Sequence, residues 1–267
     1  QSAISQRLRQ LETHLGQRLI IRSSPPRLTE AGHKILKYYR QVSLLQEDLL
    51  STLAGSGDNG VSSVSIGSNA DSLATWLLDA LTPLLNTGKT FVEIHVDDQD
   101  RTHDLLRDGT VVGCISASAA PIQGCNCIPL GIMTYRCLVS PDYKSRHFNG
   151  DVTRESLLAA PCVEFNHKDD LQRQYISRYF GGGYPTTRHR VPSTESFLDF
   201  ITRGFGWGMV PDVQSHTHLK KGTVIELVEG NTLDIPLYWH IWNLRTSLSR
   251  TLTDSLCSEA AKVLTPI

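Results

Sequence analysis

Apolar positions recur along this chain with two periods, and the change from one to the other divides it. In residues 1–15, Ala3, Ile4, Leu8, Leu11 and Leu15 share one stripe at helical spacing, which predicts a helix. Gln1, Ser2, Ser5, Gln6, Arg9 and Glu12 lie off that stripe, and Gly16 supplies a C-terminal stop. Residues 18–22 (RLIIR) predict a short strand, 23–26 a turn and 27–28 a returning strand. Thr29 is expected to cap a second helix, with Glu30 in its first turn, running to about residue 54. Ile35, Leu36, Tyr39, Val42, Leu45, Leu49 and Leu50 form its apolar face. A helix of that length spans about 37 Å, more than a compact domain usually needs. Its stripe calls for a partner helix.

Residues 55–60 (GSGDNG) contain no apolar side chain and read as a linker. Beyond them the chain alternates strand and helix. Strands are expected at 61–66, 91–96 and 111–116, with helices at 71–85 and 101–107 between them. The alternation restarts with strands at 162–165, 188–191 and 208–210 and helices at 170–180 and 193–203. A strand at 237–242 and a helix at 247–263 close the chain. This pattern predicts an α/β domain with a largely parallel sheet. Two successive α/β units imply two lobes with a small-molecule cleft between them. Residues 109–135 carry no charge, but Gly113, Pro121, Gln123, Asn126 and Pro129 interrupt the run. It reads as strand–loop–strand rather than a membrane span.

Composition sharpens this picture through charge. Apolar residues at 40% and charged residues at 20% are ordinary for a chain with a substantial core, which excludes disordered and collagen-like classes. The net charge of −1 conceals an asymmetry. Residues 1–40 hold eight Lys/Arg against two acids, whereas the remainder holds 18 basic against 25 acidic residues. A basic head on an acidic body points to two tasks, one of them facing a polyanion. The six cysteines match no zinc spacing and are expected to be reduced thiols of a cytoplasmic protein. No secretory signal is visible.

With helix, wing and second helix in that order, residues 1–32 resemble the end of the winged helix-turn-helix of LysR-type transcriptional regulators. Residues 28–32 (LTEAG) match the family's entry into its long dimerisation helix. The likeness extends over the whole chain. NADSLATW at 69–76, DDQDRTH at 97–103, VPSTESF at 191–197, GFGWGMVP at 204–211 and PLYW at 236–239 resemble the ArgP/LysG branch of that family, whose members sense lysine and arginine. The resemblance implies a partial winged helix-turn-helix at 1–28 and a dimerisation helix with hinge at 29–60. A two-lobed, periplasmic-binding-protein-like effector domain follows at 61–267, with lobe I at 61–133 and 237–267 and lobe II at 134–236. Family members carry roughly 25–30 residues before this point, the helices that hold a recognition helix in place. DNA binding is therefore expected of the full-length protein. Double-stranded DNA is the implied partner, with RNA polymerase a further one. The implied assembly is a homodimer or tetramer, the tetramer built from dimers.

The chemistry of both ends fits those expectations. A recognition helix sets its N-terminal residues against base edges, and Gln1, Ser2, Ser5, Gln6 and Arg9 carry suitable groups. Arg22 and Arg27 bracket the wing, where a cation reaches backbone phosphate. A free amino acid needs donors for its carboxylate, acceptors for its ammonium and a complement to its side chain. Strand-to-helix turns supply donors. The turns at 68–72 and 193–195 and the strand end at Ser116 are assigned to the carboxylate. A lysine or arginine side chain needs acids, and Asp97, Asp98 and Asp100 share one loop while Asp169 and Asp170 open a helix. One Asp at a helix start is only a cap, so it is the cluster of acids that points to a cationic side chain. The expected effector-binding set is Asn69, Asp71, Ser72, Asp98, Ser116, Asn166, Asp169, Ser193, Thr194 and Glu195.

Other signals lead elsewhere. GFGWG at 204–208 lacks the G-K-[ST] of a phosphate loop and reads as a helix stop and tight turn. His189 has no adjacent acid, and no third ligand joins His216 and His218, so neither a general base nor a metal is expected. Trp207, Trp239 and Trp242 are expected in the core or cleft wall. No hydrolase or metalloprotease signature appears, so the chain is not expected to be an enzyme, and no cofactor beyond the small-molecule effector is expected. The rival reading is an amino-acid-binding protein with no DNA role. The basic winged segment and the long amphipathic helix argue against it.

Overall fold

The computed structural model describes residues 2–54, 62–97 and 99–267, with the side chains of Ser2, Ala54, Gln99, Asp100 and Arg101 left aside. The expected linker at 55–60 and the start of the first expected strand at 61 lie outside the described residues. Helix α1 (Ser2–Leu15) leads into a two-stranded wing, β1 (Ile20–Ile21) antiparallel to β2 (Arg27–Leu28). Ile4, Leu11 and Leu15 of its stripe are exposed. The Glu12 carboxylate fastens α1 to the wing by accepting from the backbone N–H groups of Leu19 at 2.8 Å and Ile20 at 3.3 Å. Helix α2 (Glu30–Ala54) starts where Thr29 Oγ1 accepts from Gly32 N at 3.1 Å, and the same hydroxyl donates to the Arg18 carbonyl at 2.7 Å. The cap and the wing are thus one joint. Gly32 is required there because a Cβ would lie 2.2 Å from the Leu19 carbonyl oxygen.

Helix α2 is seated on the α/β body at three points. Arg40 Nη1 donates to the carbonyls of Gly109 and Thr110. Asp48 Oδ1 accepts from Ser247 N at 2.7 Å, and Leu44 is buried in the main core. A Cβ on Gly109 would come 2.6 Å from the Lys37 Cα, so helix and turn meet backbone to backbone. The outward face stays bare: Tyr39, Val42, Leu45, Leu49 and Leu50 are exposed, together with Tyr38 and Leu53.

The body is built on β3 (Ser62–Ser68), β4 (Thr90–Val96), β5 (Gly113–Ser116), β6 (Cys125–Val139), β9 (Gly208–Pro211), β10 (Ile225–Glu226) and β11 (Thr232–Trp242). These form one seven-stranded sheet among the described residues, in the order β10–β6–β11–β5–β3–β4, with β9 pairing β6. Only β4, β3 and β5 are parallel to one another, so the expectation of a largely parallel sheet is corrected. The reason is β6 and β11, two long strands paired antiparallel from Thr232↔Arg136 to Trp242↔Cys125. The pairing skips Leu130, which makes a bulge and bends the ladder. This also accounts for the uncharged run at 109–135. It supplies β5 and most of β6, and from Gly131 to Cys137 the residues of β6 alternate buried and half-buried positions in the middle of the sheet.

On one side of the ladder stand β3–β5, α3 (Ala70–Ser72), a π-turn (Leu73–Leu77), α4 (Leu78–Leu85), α5 (Gln99–Arg107) and α11 (Ser247–Val263). The expected helix at 71–85 is therefore interrupted by a wider turn, near Trp76 and Leu77, both buried. On the other side stand β7 (Cys162–Glu164) parallel to β8 (Arg188–Arg190), with α8 (Leu171–Phe180), α9 (Thr194–Thr202) and α10 (Asp212–Lys220). Helices α6 (Pro141–His147) and α7 (Arg154–Ala159) also lie there. Together with α10 they carried no periodic signal long enough to anticipate. All four tryptophans are buried core residues. No described helix is long and apolar enough to cross a membrane. Gly32→Ala should destabilise the joint of wing and α2 by about 1–3 kcal/mol through overpacking. Hydrogen exchange should then quicken at residues 18–33 while the amides of the β6–β11 ladder keep their protection.

Candidate functional site

A cleft of about 730 Å³ lies where the two sides of the body face each other. Its floor is β6, which contributes Tyr135, and its walls are turns at strand ends. From the first side come Asn69, Ala70 and Asp71 after β3, Val96 and Asp97 at the end of β4, and Ala117 after β5. From the second come Phe165, Asn166, Lys168, Asp169 and Asp170 between β7 and α8, with Leu171 and Gln174 on α8. Thr194 and Phe197 of α9, Gln214 of α10 and the apolar Met209, Pro211, Ile235 and Pro236 complete it. Strand ends converge here because parallel strands send their helices away from the same edge, leaving turns with free N–H groups.

Four carboxylates (Asp71, Asp97, Asp169, Asp170) and one ammonium (Lys168) line the cleft. Asp71 Oδ2 accepts from the Tyr135 hydroxyl at 2.6 Å, and among the described residues Oδ1 has no hydrogen-bond partner. Burial pushes the Asp71 carboxyl up to about 6, against the hydrogen bond from Tyr135, and the neighbouring Asp169 pushes it further the same way. Burial raises Asp169 as well, despite bonds from the N–H groups of Phe165 at 2.8 Å and Leu171 at 3.2 Å. Asp170 is engaged by Arg173 and Gln174 of α8. Two buried oxygens near the cleft, Asn69 Oδ1 and Ser72 Oγ, have no partner among the described residues. The site is a negative, partly apolar pocket with unfilled hydrogen-bonding capacity, suited to a small zwitterion bearing an extra positive charge.

Of the ten effector residues expected from sequence, Asn69, Asp71, Asn166, Asp169 and Thr194 line the cleft. Ser72 is fully buried behind the wall, and Ser116 is buried with its Oγ accepting from Ser118 N in the following turn. Ser193 caps α9, its Oγ accepting from Ser196 N, and Glu195 is exposed one residue beyond Thr194. Neither of them lines the cleft. Asp98 lies outside the described residues. Asp97 and Asp170, noted in sequence as parts of acidic clusters, do line it. Tyr135, Lys168, Gln174 and Gln214 were not foreseen. For Tyr135 the signal existed in the alternation Met133–Tyr135–Cys137, whose members are all buried on one face of β6. At the other end of the chain, Ser5, Gln6 and Arg9 lie exposed on α1, and Arg22 and Arg27 are exposed on the wing. Gln1 and the side chain of Ser2 lie outside the described residues.

The Asp71 value has a consequence for stability. An unfolded Asp titrates near 3.9, so between about 4 and 6 the folded chain holds more protons and loses stability as the pH rises. Asp71→Asn keeps a partner for Tyr135 and removes the buried charge. It should stabilise the ligand-free chain by about 1–3 kcal/mol at pH 7.5 and barely at pH 4. Urea unfolding at the two pH values measures this.

Two family models match the chain. Residues 1–33 match "Bacterial regulatory helix-turn-helix protein, lysR family" and residues 59–255 match "LysR substrate binding domain". The chain is 39% identical to the HTH-type transcriptional regulator ArgP of Photobacterium profundum, over 99% of this chain and 89% of that protein. Among solved structures it is similar to ArgP from Mycobacterium tuberculosis, with a TM-score of 0.89 and 32% identity over 100% of this chain and 90% of that one. Full-length LysG from Corynebacterium glutamicum with bound effector Arg superposes with a TM-score of 0.81 at 34% identity, covering 99% and 90% of the two chains. These relatives are regulators rather than enzymes, which agrees with a site built to bind rather than to catalyse. The chain belongs to the LysR family of transcriptional regulators.

Proposed function

We propose that this regulator senses a basic amino acid, L-lysine or L-arginine, and controls genes for its export or metabolism. The observation that carries the reading is the charge of the cleft, four carboxylates against one ammonium. The arginine bound in the C. glutamicum LysG structure supports it. In this reading the effector's carboxylate meets the polar turn at Asn69 and the start of α9 at Thr194. Asn166 borders it, and Asp71, Asp98 and Asp169 take the positive groups. Residues 1–28 face DNA, residues 29–60 form the dimerising arm and hinge, and residues 61–267 are the sensor, lobe I comprising 61–133 and 237–267 and lobe II 134–236. Gln1, Ser2, Ser5, Gln6 and Arg9 read bases, while Arg22 and Arg27 hold phosphate. The bare face of Tyr39, Val42, Leu45 and Leu49 on α2 supports a second copy of the chain as its partner. Dimers paired into a tetramer, RNA polymerase as a contact at the promoter and a cytoplasmic location complete the proposal. Effector binding acts by shifting the population between arrangements with different DNA contacts.

Calorimetric titration with the twenty amino acids should give binding for L-lysine or L-arginine and none for neutral side chains. Asp169→Asn should weaken that binding about tenfold or more, the scale of one charge-assisted contact. Equal heats from neutral amino acids overturn the assignment. On DNA, Arg22→Ala in the full-length protein should weaken operator and random sequences alike and lower the salt slope by about one. Arg9→Ala should change base preference. A mobility-shift series across salt concentrations separates the two effects.

A further inference from the structure

Tyr135 holds a singular place in the fold. Its Cα pairs with Leu233 of β11 on one side and with Pro211 of β9 on the other, so its backbone is fixed from both flanks. Its side chain is buried and reaches the cleft, where the hydroxyl donates to Asp71 Oδ2 at 2.6 Å. The strand that serves both lobes is thereby tied to the first helix of one lobe, under the space a ligand would fill. Asp169 of the other lobe acts on Asp71 and Tyr135 through its charge. The remaining charged groups on the cleft wall are Asp97 at the end of β4 and Lys168 and Asp170 before α8, while β9 and β11 present only Met209, Pro211, Ile235 and Pro236.

We propose that Tyr135 is the positioning residue that sets the cleft's preference for cationic effectors, by holding the Asp71 carboxylate for an incoming ammonium or guanidinium. The inference rests on the reading of the cleft as a basic-amino-acid site. Like charges in a shared low-dielectric space disfavour joint ionisation unless a cation joins them. A phenol donating to a carboxylate favours the ionised form. Burial holds the Tyr135 hydroxyl well above the usual phenol range, so it stays a donor throughout the working pH range. With Oδ2 held, Oδ1 is the oxygen left for a ligand. A neutral side chain leaves the repulsion between Asp71 and Asp169 in place, and a cationic one relieves it. The cation binds the ionised form of Asp71, so in mildly acid solution its arrival expels the proton that Asp71 carries.

The test is calorimetry of the full chain with L-arginine and with L-lysine from pH 5 to pH 8.5, in buffers of different ionisation enthalpy. With Asp71 raised to about 6, the wild type should lose affinity about tenfold per pH unit below that point. Near pH 6 about half a proton should leave per site, read as buffer-dependent heat, and at pH 8 none. Tyr135→Phe should move the midpoint of the fall to higher pH and recover most of the wild-type affinity by pH 8.5. An equal loss at every pH, with the midpoint unmoved, means a merely structural tyrosine and overturns the proposal. So does buffer-independent heat at pH 6 in the wild type. If Tyr135→Phe does not fold, Asp71→Asn carries the test: it should bind weakly and release no proton, and unchanged proton release in it overturns the proposal. Failure of both amino acids to bind at any pH overturns the reading of the site as well, which keeps the two failures distinct.

Discussion

The antiparallel ladder of β6 and β11 is the constraint on which the rest of the body depends. Both strands run through both lobes, so neither lobe closes its sheet without them. Every backbone donor and acceptor of a central strand needs a partner, and here β6 pairs with β9, β10 and β11 while β11 pairs with β5 and β6. A buried strand cannot carry charge on its inner face, which accounts for the uncharged residues of β5 and of β6 from Leu130 to Tyr135. The first charge after the run, Arg136, points to the opposite face and is held by Asp212 and Glu226. The ladder thus separates a cleft face, with Tyr135, from an ion-paired face one residue away.

The cleft trades stability for recognition. Asp71 and Asp169 are buried together, and Asn69 Oδ1 and Ser72 Oγ have no partner among the described residues. Those that line the cleft (Asp71, Asp169 and Asn69 Oδ1) are costs that a ligand of matching charge offsets on binding. Such a site favours its effector partly because the unliganded state is poor. Asp170 shows the contrast, since Arg173 and Gln174 already engage it and leave it less to gain from a ligand.

Much of this was legible in sequence, and the limits have physical causes. The order of helix, wing and long helix followed from periodicity and from the run at residues 28–32, since local patterns suffice where contacts are local. The alternation at residues 61–116 gave the parallel strands correctly. It misled for the whole sheet because strand direction in β6 and β11 depends on partners about a hundred residues apart. Polar turns located half of the expected effector residues. Ser72 and Ser193 failed as lining residues for a local reason: a short hydroxyl at a helix start turns inward or caps its own backbone. Tyr135 was hidden because a buried aromatic in a strand reads as core, and only its contact with a residue 64 positions away makes it polar machinery.

The seat of α2 has a mechanical consequence. Lys37, Arg40, Leu44 and Asp48 seat one stretch of the helix on the body, while the wing joint at Thr29 lies eight residues before Lys37. That arm is roughly 12 Å long at 1.5 Å per residue, and a helix of this length bends little. A tilt of about 10° at the seat would carry the wing roughly 2 Å sideways, by the same helix geometry. The turn that receives Arg40 directly precedes β5, and β5 ends at the cleft beside Ala117. The pivot of the helix therefore sits at one end of a strand whose other end reaches the cleft.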